Sequence, residues 1–135
     1  MEPVTLVDAE NVRRSQWPNI GKEELVELVR AWAEATGAHA LLVFDGEAPA
    51  AEADEALKVV GTKRESADDR IARNAAKLAE AGRPYRLVTS DRGLRARAGG
   101  PADDVVGGGT FARTLRALSP TGASGSTRAA APRQG

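Results

Sequence analysis

The stretch Ser66-Ala67-Asp68-Asp69-Arg70-Ile71 begins a helix a few residues after a short apolar segment, Leu57-Lys58-Val59-Val60. Ser66 is a residue type that favours the helix N-cap, and the two aspartates then fall in the first turn, where the helix dipole favours negative charge. A strand followed by a capped helix is the repeating unit of a parallel sheet. The helix is predicted to run to about Ala81, with an apolar face formed by Ile71, Ala75 and Leu78.

The same succession occurs on both sides of this stretch. Short apolar segments rich in β-branched residues predict further strands at Val4–Val7, Ala40–Phe44 and Tyr85–Val88, with a weak fifth at Val105–Val106. Helical periodicity or capping predicts helices at 22–36, 92–98 and from Thr110 to about Leu118, whereas 9–20 is predicted to be a polar loop. Alternating strands and helices predict an α/β fold, with a parallel sheet covered on both faces.

Acidic residues follow the predicted strands. Asp8, Asp45 and Asp91 stand at the carboxyl ends of three of them, and Asp68 and Asp69 begin a helix that must start on the same edge. In sheets of this class the functional crevice lies beyond the carboxyl ends of the strands. The sequence therefore predicts five carboxylates at one rim.

Each of these residues also has a purely structural interpretation. Asp8 can terminate a strand, Asp45 precedes Gly46 in a common turn pair, and Asp91 can cap the next helix. Asn11 can shape its loop as an Asx-turn. Trp17 beside Pro18 can stack on a base, but a lid over the core is the preferred interpretation.

Length and composition limit the domain organisation, the metal and cofactor sites and the cellular location that can be expected. The 135 residues are expected to form one domain over 1–118, followed by a disordered tail over 119–135 in which Pro, Gly, Ser, Thr, Ala and Arg dominate. There is no cysteine and only one histidine, which argues against a zinc site. Neither a nucleotide-binding glycine motif nor a signal or membrane-spanning segment is recognisable, so a cytoplasmic protein without a nucleotide cofactor is expected.

Crowded carboxylates require neutralisation. Two unit charges 4 Å apart repel by about 4 kcal/mol at an effective dielectric constant near 20. Oxygen-only ligands select hard cations such as Mg²⁺ or Mn²⁺, and these cations orient phosphates and activate water. Phosphodiester hydrolysis is the chemistry that follows most naturally. The formal net charge of zero argues against indiscriminate binding of polyanions.

Four segments in order resemble the NYN domains, a branch of the PIN-like nucleases. Leu6-Val7-Asp8-Ala9-Glu10-Asn11-Val12 is similar to their D-x-x-N opening, and it is followed by Val43–Gly46, Ser66–Ile71 and Val88–Arg92. The nearest likeness is to bacterial YacP-like proteins, and it covers about 4–118. Typical members have Asp-Gly-Tyr-Asn where this chain has Ala9 and Glu10 in the middle. Glu10 is therefore either an additional ligand or a solvent-facing residue.

The resemblance implies a three-layer α/β/α sandwich with a mostly parallel sheet. It further implies Mg²⁺- or Mn²⁺-dependent endonucleolytic cleavage of single-stranded RNA, in which water activated by the metal leaves a 5′-phosphate and a 3′-hydroxyl. By position, the acidic cluster would comprise Asp8, Asp68, Asp69 and Asp91, with Asp45 more peripheral, Asn11 orienting the metal shell or phosphate, and Asp69 preferred over Asp68 as the residue facing the metal. Charge and placement nominate Arg13, Lys63, Arg64 and Arg92 for the RNA backbone.

Other functions fit the same fold. A non-catalytic RNA-binding or ribosome-associated adaptor is the main alternative to a ribonuclease, and the toxin of a toxin–antitoxin pair is a third. A receiver domain shares the sheet class and the acidic rim. It would need a lysine at the end of the fifth strand, where Val106 and Gly107 stand, and it is therefore ranked low.

Overall fold

The structure is a computed structural model, and it describes residues 3–118. One sheet contains five strands: β1 Val4–Asp8, β2 His39–Phe44, β3 Leu57–Gly61, β4 Tyr85–Val88 and β5 Asp104–Val106. Their order is β3-β2-β1-β4-β5, and every neighbouring pair is parallel. The predicted α/β class and all the predicted strands are confirmed. The predictions for the tail concern residues outside this range.

Helices cover both faces of the sheet. They are α1 Ala9–Arg14, α2 Lys22–Thr36, α3 Ala67–Glu80, α4 Arg92–Ala98 and α5 Gly108–Leu118. The apolar residues of α1, α2 and α5 pack with Val7, Leu42 and Val88 on one face. Those of α3 and α4 pack with Leu6, Val43 and Leu87 on the other. The chain is thus a three-layer α/β/α sandwich.

The segment 9–20 was predicted to be a loop, and this prediction is wrong over its first half. Ala9 and Val12 are buried, and they anchor the short helix α1 against the core. Six residues are too few for helical periodicity to be recognised, and packing rather than propensity stabilises a helix of this length. Glu10 near its start and Arg14 at its end also suit the helix dipole.

The last helix begins earlier than predicted, at Gly108 rather than with Thr110 as its cap. Gly108 is buried against Asn11 of α1, where a side chain would not fit. Because α1 and α5 approach closely at this point, the position requires glycine, which is not among the residue types that most favour the start of a helix. Phe111 of the same helix contacts Trp32 of α2 edge-to-face, with 5.0 Å between the ring centroids.

The strand order places a topological switch point beside β1. After β1 the chain builds outward through β2 and β3, and it then returns to place β4 and β5 on the other side of β1. In open parallel sheets, the crevice at such a reversal is where ligands bind. The carboxyl ends of β1 and β4 form this crevice. Within 3–118, no helix is long and apolar enough to cross a membrane.

Candidate active site

Asp8 is the deepest residue of the crevice. It ends β1, only 6% of its surface is exposed, and its Oδ2 accepts a hydrogen bond of 2.9 Å from the buried hydroxyl of Thr89 after β4. Burial raises the pKa of Asp8 to about 6; the Thr89 hydrogen bond opposes that rise, and repulsion from Asp68 and Asp91 adds to it. The fold therefore holds a carboxylate whose charge is not neutralised by any cation of the described residues.

Asn11 joins α1 to the switch point. Its Oδ1 accepts a hydrogen bond of 2.9 Å from the backbone N–H of Ser90, just beyond β4. The Ser90 hydroxyl in turn accepts from the N–H of Gly108 at 2.9 Å. Asn11 thus makes a tertiary contact instead of the Asx-turn that its local sequence allows. The result is a fixed connection between α1, the end of β4 and the start of α5.

Asp68 and Asp69, in the first turn of α3, make different contacts. Ser66 and Asp69 form a reciprocal capping box, with the Asp69 N–H donating to the Ser66 hydroxyl at 3.1 Å. Asp69 Oδ1 also pairs with Arg97 at 2.9 Å, and the Arg97 hydrogen bond is the main reason that its pKa is lowered. Asp68 instead lines the crevice, and desolvation and the nearby Asp91 raise its pKa.

The structure does not support the preference for Asp69 over Asp68, because Asp68 lines the crevice and Asp69 does not. Position N3 of the helix directs the Asp69 carboxylate back to the Ser66 backbone, at 3.5 Å, and outward to Arg97. Both oxygens of Asp69 are thus engaged, Oδ1 by Arg97 and Oδ2 by the Ser66 N–H, which leaves neither oxygen free for a metal. Asp68 carries neither contact.

Asp45 and Asp91 combine structural contacts with a place at the crevice. Asp45 Oδ1 accepts from the N–H of Ala67 at 3.2 Å, so it anchors the start of α3 from the neighbouring strand end. Asp91 Oδ1 accepts from the N–H of Leu94 at 2.9 Å and caps α4. The capping interpretation of Asp91 is correct, and both residues also line the crevice.

A cleft of about 250 Å³ results, lined by Asp8, Glu10, Asn11, Arg14, Asp45, Ser66, Ala67, Asp68 and Asp91. We call this the acidic cleft. A larger groove of about 890 Å³ lies towards the amino ends of β1 and β2 and is lined by Val4, His39, Lys58, Lys77 and Arg83, among others. The larger groove contains none of the strand-end aspartates. Chemistry and topology together favour the smaller cleft as the site.

Glu10 faces the acidic cleft rather than solvent. Its Oε1 pairs with Arg13 at 2.6 Å, and Arg14 lies 3.7 Å from the same oxygen. Its Oε2 is buried and has no hydrogen-bond partner among residues 3–118. A buried oxygen without a partner is costly, which makes Glu10 available to a cation or a water.

The basic residues nominated for RNA are placed differently from one another. Arg13 is turned inward, with its Nε donating to the Ile20 carbonyl at 2.7 Å, so it holds the chain and does not face a substrate. Lys63 and Arg64 are exposed in the loop before α3, and Arg92 is the exposed first residue of α4; none of the three lines the cleft, but they lie close in sequence to Ser66 and Asp91, which do. Arg14 was not nominated, yet its side chain is 71% exposed and lines the cleft. No local signal nominates Arg14, because α1 is too short for its helical periodicity to be recognised in the sequence.

The donor set suits a hydrated divalent cation. Across the described range, no three acidic or histidine side chains are grouped closely enough to enclose an ion by themselves. Mg²⁺ commonly binds through one or two carboxylates and keeps several waters, which leaves places for substrate phosphate. The mutual repulsion of Asp8, Asp68 and Asp91 and the orphan oxygen of Glu10 are consistent with that mode.

Fold and site together define an α/β protein with an acidic cleft at the switch point of a parallel sheet. The family model of the YacP-like NYN domain matches residues 7–116, and the chain belongs to that family. The matched segment includes every residue of the acidic cleft. Comparison with curated proteins found no match.

Two solved structures share the fold. Both are crystal structures of Rae1 (YacP) from Bacillus subtilis, and both are 21% identical to this chain. The first, a W164L mutant, has a TM-score of 0.67, with 86% of this chain and 76% of that chain covered. For the second the TM-score is 0.68, with 87% and 75% covered. These values confirm the three-layer architecture predicted from the sequence.

Proposed function

We propose that the protein is a Mg²⁺- or Mn²⁺-dependent endoribonuclease that cleaves single-stranded RNA in the acidic cleft. The observation that carries the proposal is the convergence of Asp8, Asp68 and Asp91 from β1, α3 and the end of β4 on one cleft. Burial keeps Asp8 from pairing with any described cation, which is a costly arrangement unless it serves chemistry. The resemblance to PIN-like nucleases agrees with this role.

The residues divide the work as follows. Asp8 and Asp68 would hold the cation, with Asp91 and Glu10 as additional oxygen ligands, directly or through water. A cation bound there supplies charge stabilisation at the phosphate and lowers the pKa of water. Thr89 fixes the Asp8 carboxylate, and Asn11 fixes α1 against the end of β4, so the ligands are oriented before substrate arrives.

The shape of the site favours a flexible strand. Asp8 is recessed, so the scissile phosphate must enter the cleft to come near it. A single strand can bend its backbone inward, whereas a rigid duplex presents its phosphates on a wide cylinder. Arg14 at the cleft, together with the exposed Arg64 and Arg92 that lie close in sequence to cleft residues, would attract the flanking phosphates.

The test uses a labelled single-stranded RNA, the matching duplex, and purified protein with Mn²⁺, Mg²⁺ or a chelator. We expect cleavage of the single strand with either metal, products with 5′-phosphates, and no cleavage after chelation. Asp8→Asn should reduce the rate at least about 100-fold, since even residues that merely orient ligands cost roughly 10–100-fold when replaced. Asp104→Asn, an exposed carboxylate on β5 outside the cleft, is the matched control.

Absence of cleavage by the wild-type protein under all metal conditions would refute the ribonuclease assignment. Equal cleavage by wild type and Asp8→Asn would show that the activity comes from another site or from a contaminant. RNA binding without cleavage would instead support the adaptor function.

A further inference from the structure

Trp17 is the most exposed large hydrophobic residue between positions 3 and 118. Its surface is 90% exposed, so the expectation that it forms a lid over the core is wrong. Leu118, at 45%, is the other large apolar residue so exposed within the same range. Leaving an indole in water forgoes the stabilisation that burial of an aromatic side chain would give. A solvent-facing tryptophan of this kind is a candidate binding residue.

The loop that carries Trp17 is held at both ends. On one side, Ser15 Oγ donates to the Val12 carbonyl at 2.6 Å. On the other, Ile20 and Arg13 exchange two hydrogen bonds, of 3.1 Å and 2.7 Å, that close the loop. Gln16 adds a contact of 3.4 Å with Arg116 of α5. The indole therefore projects from a fixed base, which lowers the entropy cost of binding a flat ligand.

The surroundings of Trp17 are positively charged. Arg14 stands three positions before it, so the two Cα atoms are at most about 11 Å apart. Arg113 lies beside the same loop: its guanidinium and the Ser15 side chain both flank Gly109, at 3.6 Å and 3.9 Å from where a Cβ there would be. The nearby acids Glu10 and Glu24 are already paired with Arg13 and Arg116.

Arg14 and Arg113 are the cations with least local neutralisation here. Arg14 reaches only Glu10, at 3.7 Å, and that carboxylate is held more closely by Arg13. Arg113 donates to the Thr110 hydroxyl at 3.3 Å and makes no ion pair with the described acids. Arg14 also lines the acidic cleft, so one of these cations lies both at the cleft and three positions before Trp17 in the chain.

We propose that Trp17 is a base-stacking subsite for the RNA strand whose backbone enters the acidic cleft. Arg14 and Arg113 would contact the phosphates between the cleft and the stacked base. This inference rests on the proposed function, and it adds a subsite for the substrate a few nucleotides from the scissile bond. An apolar patch on a protein partner is the other occupant of an exposed indole. Arg14, which is only weakly paired with Glu10, and Arg113, which pairs with no described acid, favour a polyanion instead.

The first experiment measures binding of a fluorescein-labelled single-stranded RNA to the full chain, with chelator present so that cleavage does not interfere. Trp17→Ala should weaken binding by about 10-fold, whereas Trp17→Phe should retain most of the affinity because it keeps a stacking ring. Leu118→Ala, which removes a comparable exposed apolar side chain, should leave it unchanged. Arg113→Glu should weaken binding and lower its salt dependence, and Arg83→Glu in the larger groove should do neither.

The second experiment reads stacking directly. Trp32 is buried, so RNA that stacks on the protein should quench the emission of Trp17 in the wild type and leave Trp17→Phe unquenched. A strand of the same length with abasic sugars should bind without quenching. Affinities within twofold for wild type and Trp17→Ala, or equal quenching by the abasic strand, would refute the stacking subsite. The exposed indole would then be assigned to contact with a protein partner.

These outcomes are independent of cleavage. Stacking without hydrolysis would retain the subsite and refute the ribonuclease assignment. Hydrolysis with an unchanged KM for Trp17→Ala would refute the subsite and retain the ribonuclease. If both hold, Trp17→Ala should raise KM by about 10-fold and change kcat little, as expected for a group that binds ground state and transition state alike.

Discussion

Two strand-to-helix junctions supply aspartates to the same cleft, and they are built in opposite ways. At the junction of β1 and α1, Asp8 is both the last strand residue and the N-cap, yet its side chain makes no cap hydrogen bond and turns to Thr89. At the junction of β3 and α3, a loop intervenes, and Ser66 and Asp69 form a complete capping box. We refer to these as the buried junction and the capped junction.

The difference is visible in the pKa directions. Burial raises the pKa of Asp8 at the buried junction, whereas Arg97 and the cap lower that of Asp69 at the capped junction. A helix N-terminus therefore does not by itself decide what an aspartate does. A carboxylate remains available to bind a cation where no neighbouring group of the protein already pairs with it. At the capped junction, Asp68 meets this condition and Asp69 does not.

The sharpest test of the comparison contrasts the neighbours Asp68 and Asp69. Asp68→Asn should reduce RNA cleavage by about 100-fold, because it removes a proposed metal ligand whose effect should reach at least the 10–100-fold range of orienting residues. Asp69→Asn should change the rate by less than threefold, since its carboxylate is directed to Ser66 and Arg97. Initial rates at saturating Mn²⁺ measure both. A larger loss of cleavage rate for Asp69→Asn than for Asp68→Asn would show that Asp69, and not Asp68, acts in the cleft.

The contact that fixes the buried junction can be broken from α5. Gly108→Ala should destabilise the protein by about 1–3 kcal/mol, because the new methyl group would overlap the Asn11 amide oxygen and its carbonyl. Cleavage should fall with it as α1 shifts. Gly109→Ala is the matched control, since its nearest neighbours would be at ordinary contact distances of 3.6 Å and 3.9 Å. Urea unfolding of the two variants gives the comparison, and equal midpoints would contradict it.

In the absence of metal, the buried Asp8 carboxylate should lower the free energy of unfolding at neutral pH. The pKa of Asp8 is raised in the folded state, so the folded protein binds more protons than the unfolded one between about pH 4 and 6. Stability contributed by protonated Asp8 is therefore present below pH 4 and lost as the pH rises through 6. Asp8→Asn removes this contribution and should be more stable than wild type by about 3 kcal/mol at pH 7.

The measurement is urea unfolding of both proteins with chelator at a series of pH values. The difference between them should grow from pH 4 to 6 and level off above 7, and shared titrations cancel in it. Saturating Mn²⁺ should narrow the difference by stabilising the wild type alone. A difference that is flat with pH would mean that Asp8 is not desolvated.

The sequence predicts most of the fold because its signals are local. Gly37 ends α2 in the left-handed conformation, at a φ of 75°, as expected of a helix-terminating glycine. Ser66 caps α3 as its residue type indicates. The elements that were missed depend on tertiary contacts: α1 is stabilised by packing, and the first residues of α5 are chosen for their fit against Asn11.

The same difference between local signals and tertiary contacts decides which residues of the site could be predicted. Apolar segments ending in acids are enough to predict that Asp8, Asp45, Asp68 and Asp91 meet at one edge. The spacing of Ser66 and Asp69 is that of a capping box and is visible in the sequence, whereas the ion pair of Asp69 with Arg97, 28 positions away, is not. Nor can the sequence show that Arg13 is used internally while Arg14 is exposed. A helix turns adjacent residues about 100° apart, but α1 is too short to be recognised as a helix in the sequence.

The smallest expected effect tests the capped junction through its cap. Ser66→Ala should lower the free energy of unfolding by about 1 kcal/mol, the usual cost of losing an N-cap oxygen. Ser66→Asn should be nearly neutral, because asparagine caps as well as serine. The rate of cleavage per folded molecule should stay close to wild type in both, since the cap holds Asp69 and not Asp68. A loss of cleavage in Ser66→Ala, restored by Ser66→Asn at equal stability, would show instead that capping also positions Asp68 and that the two junctions are not independent.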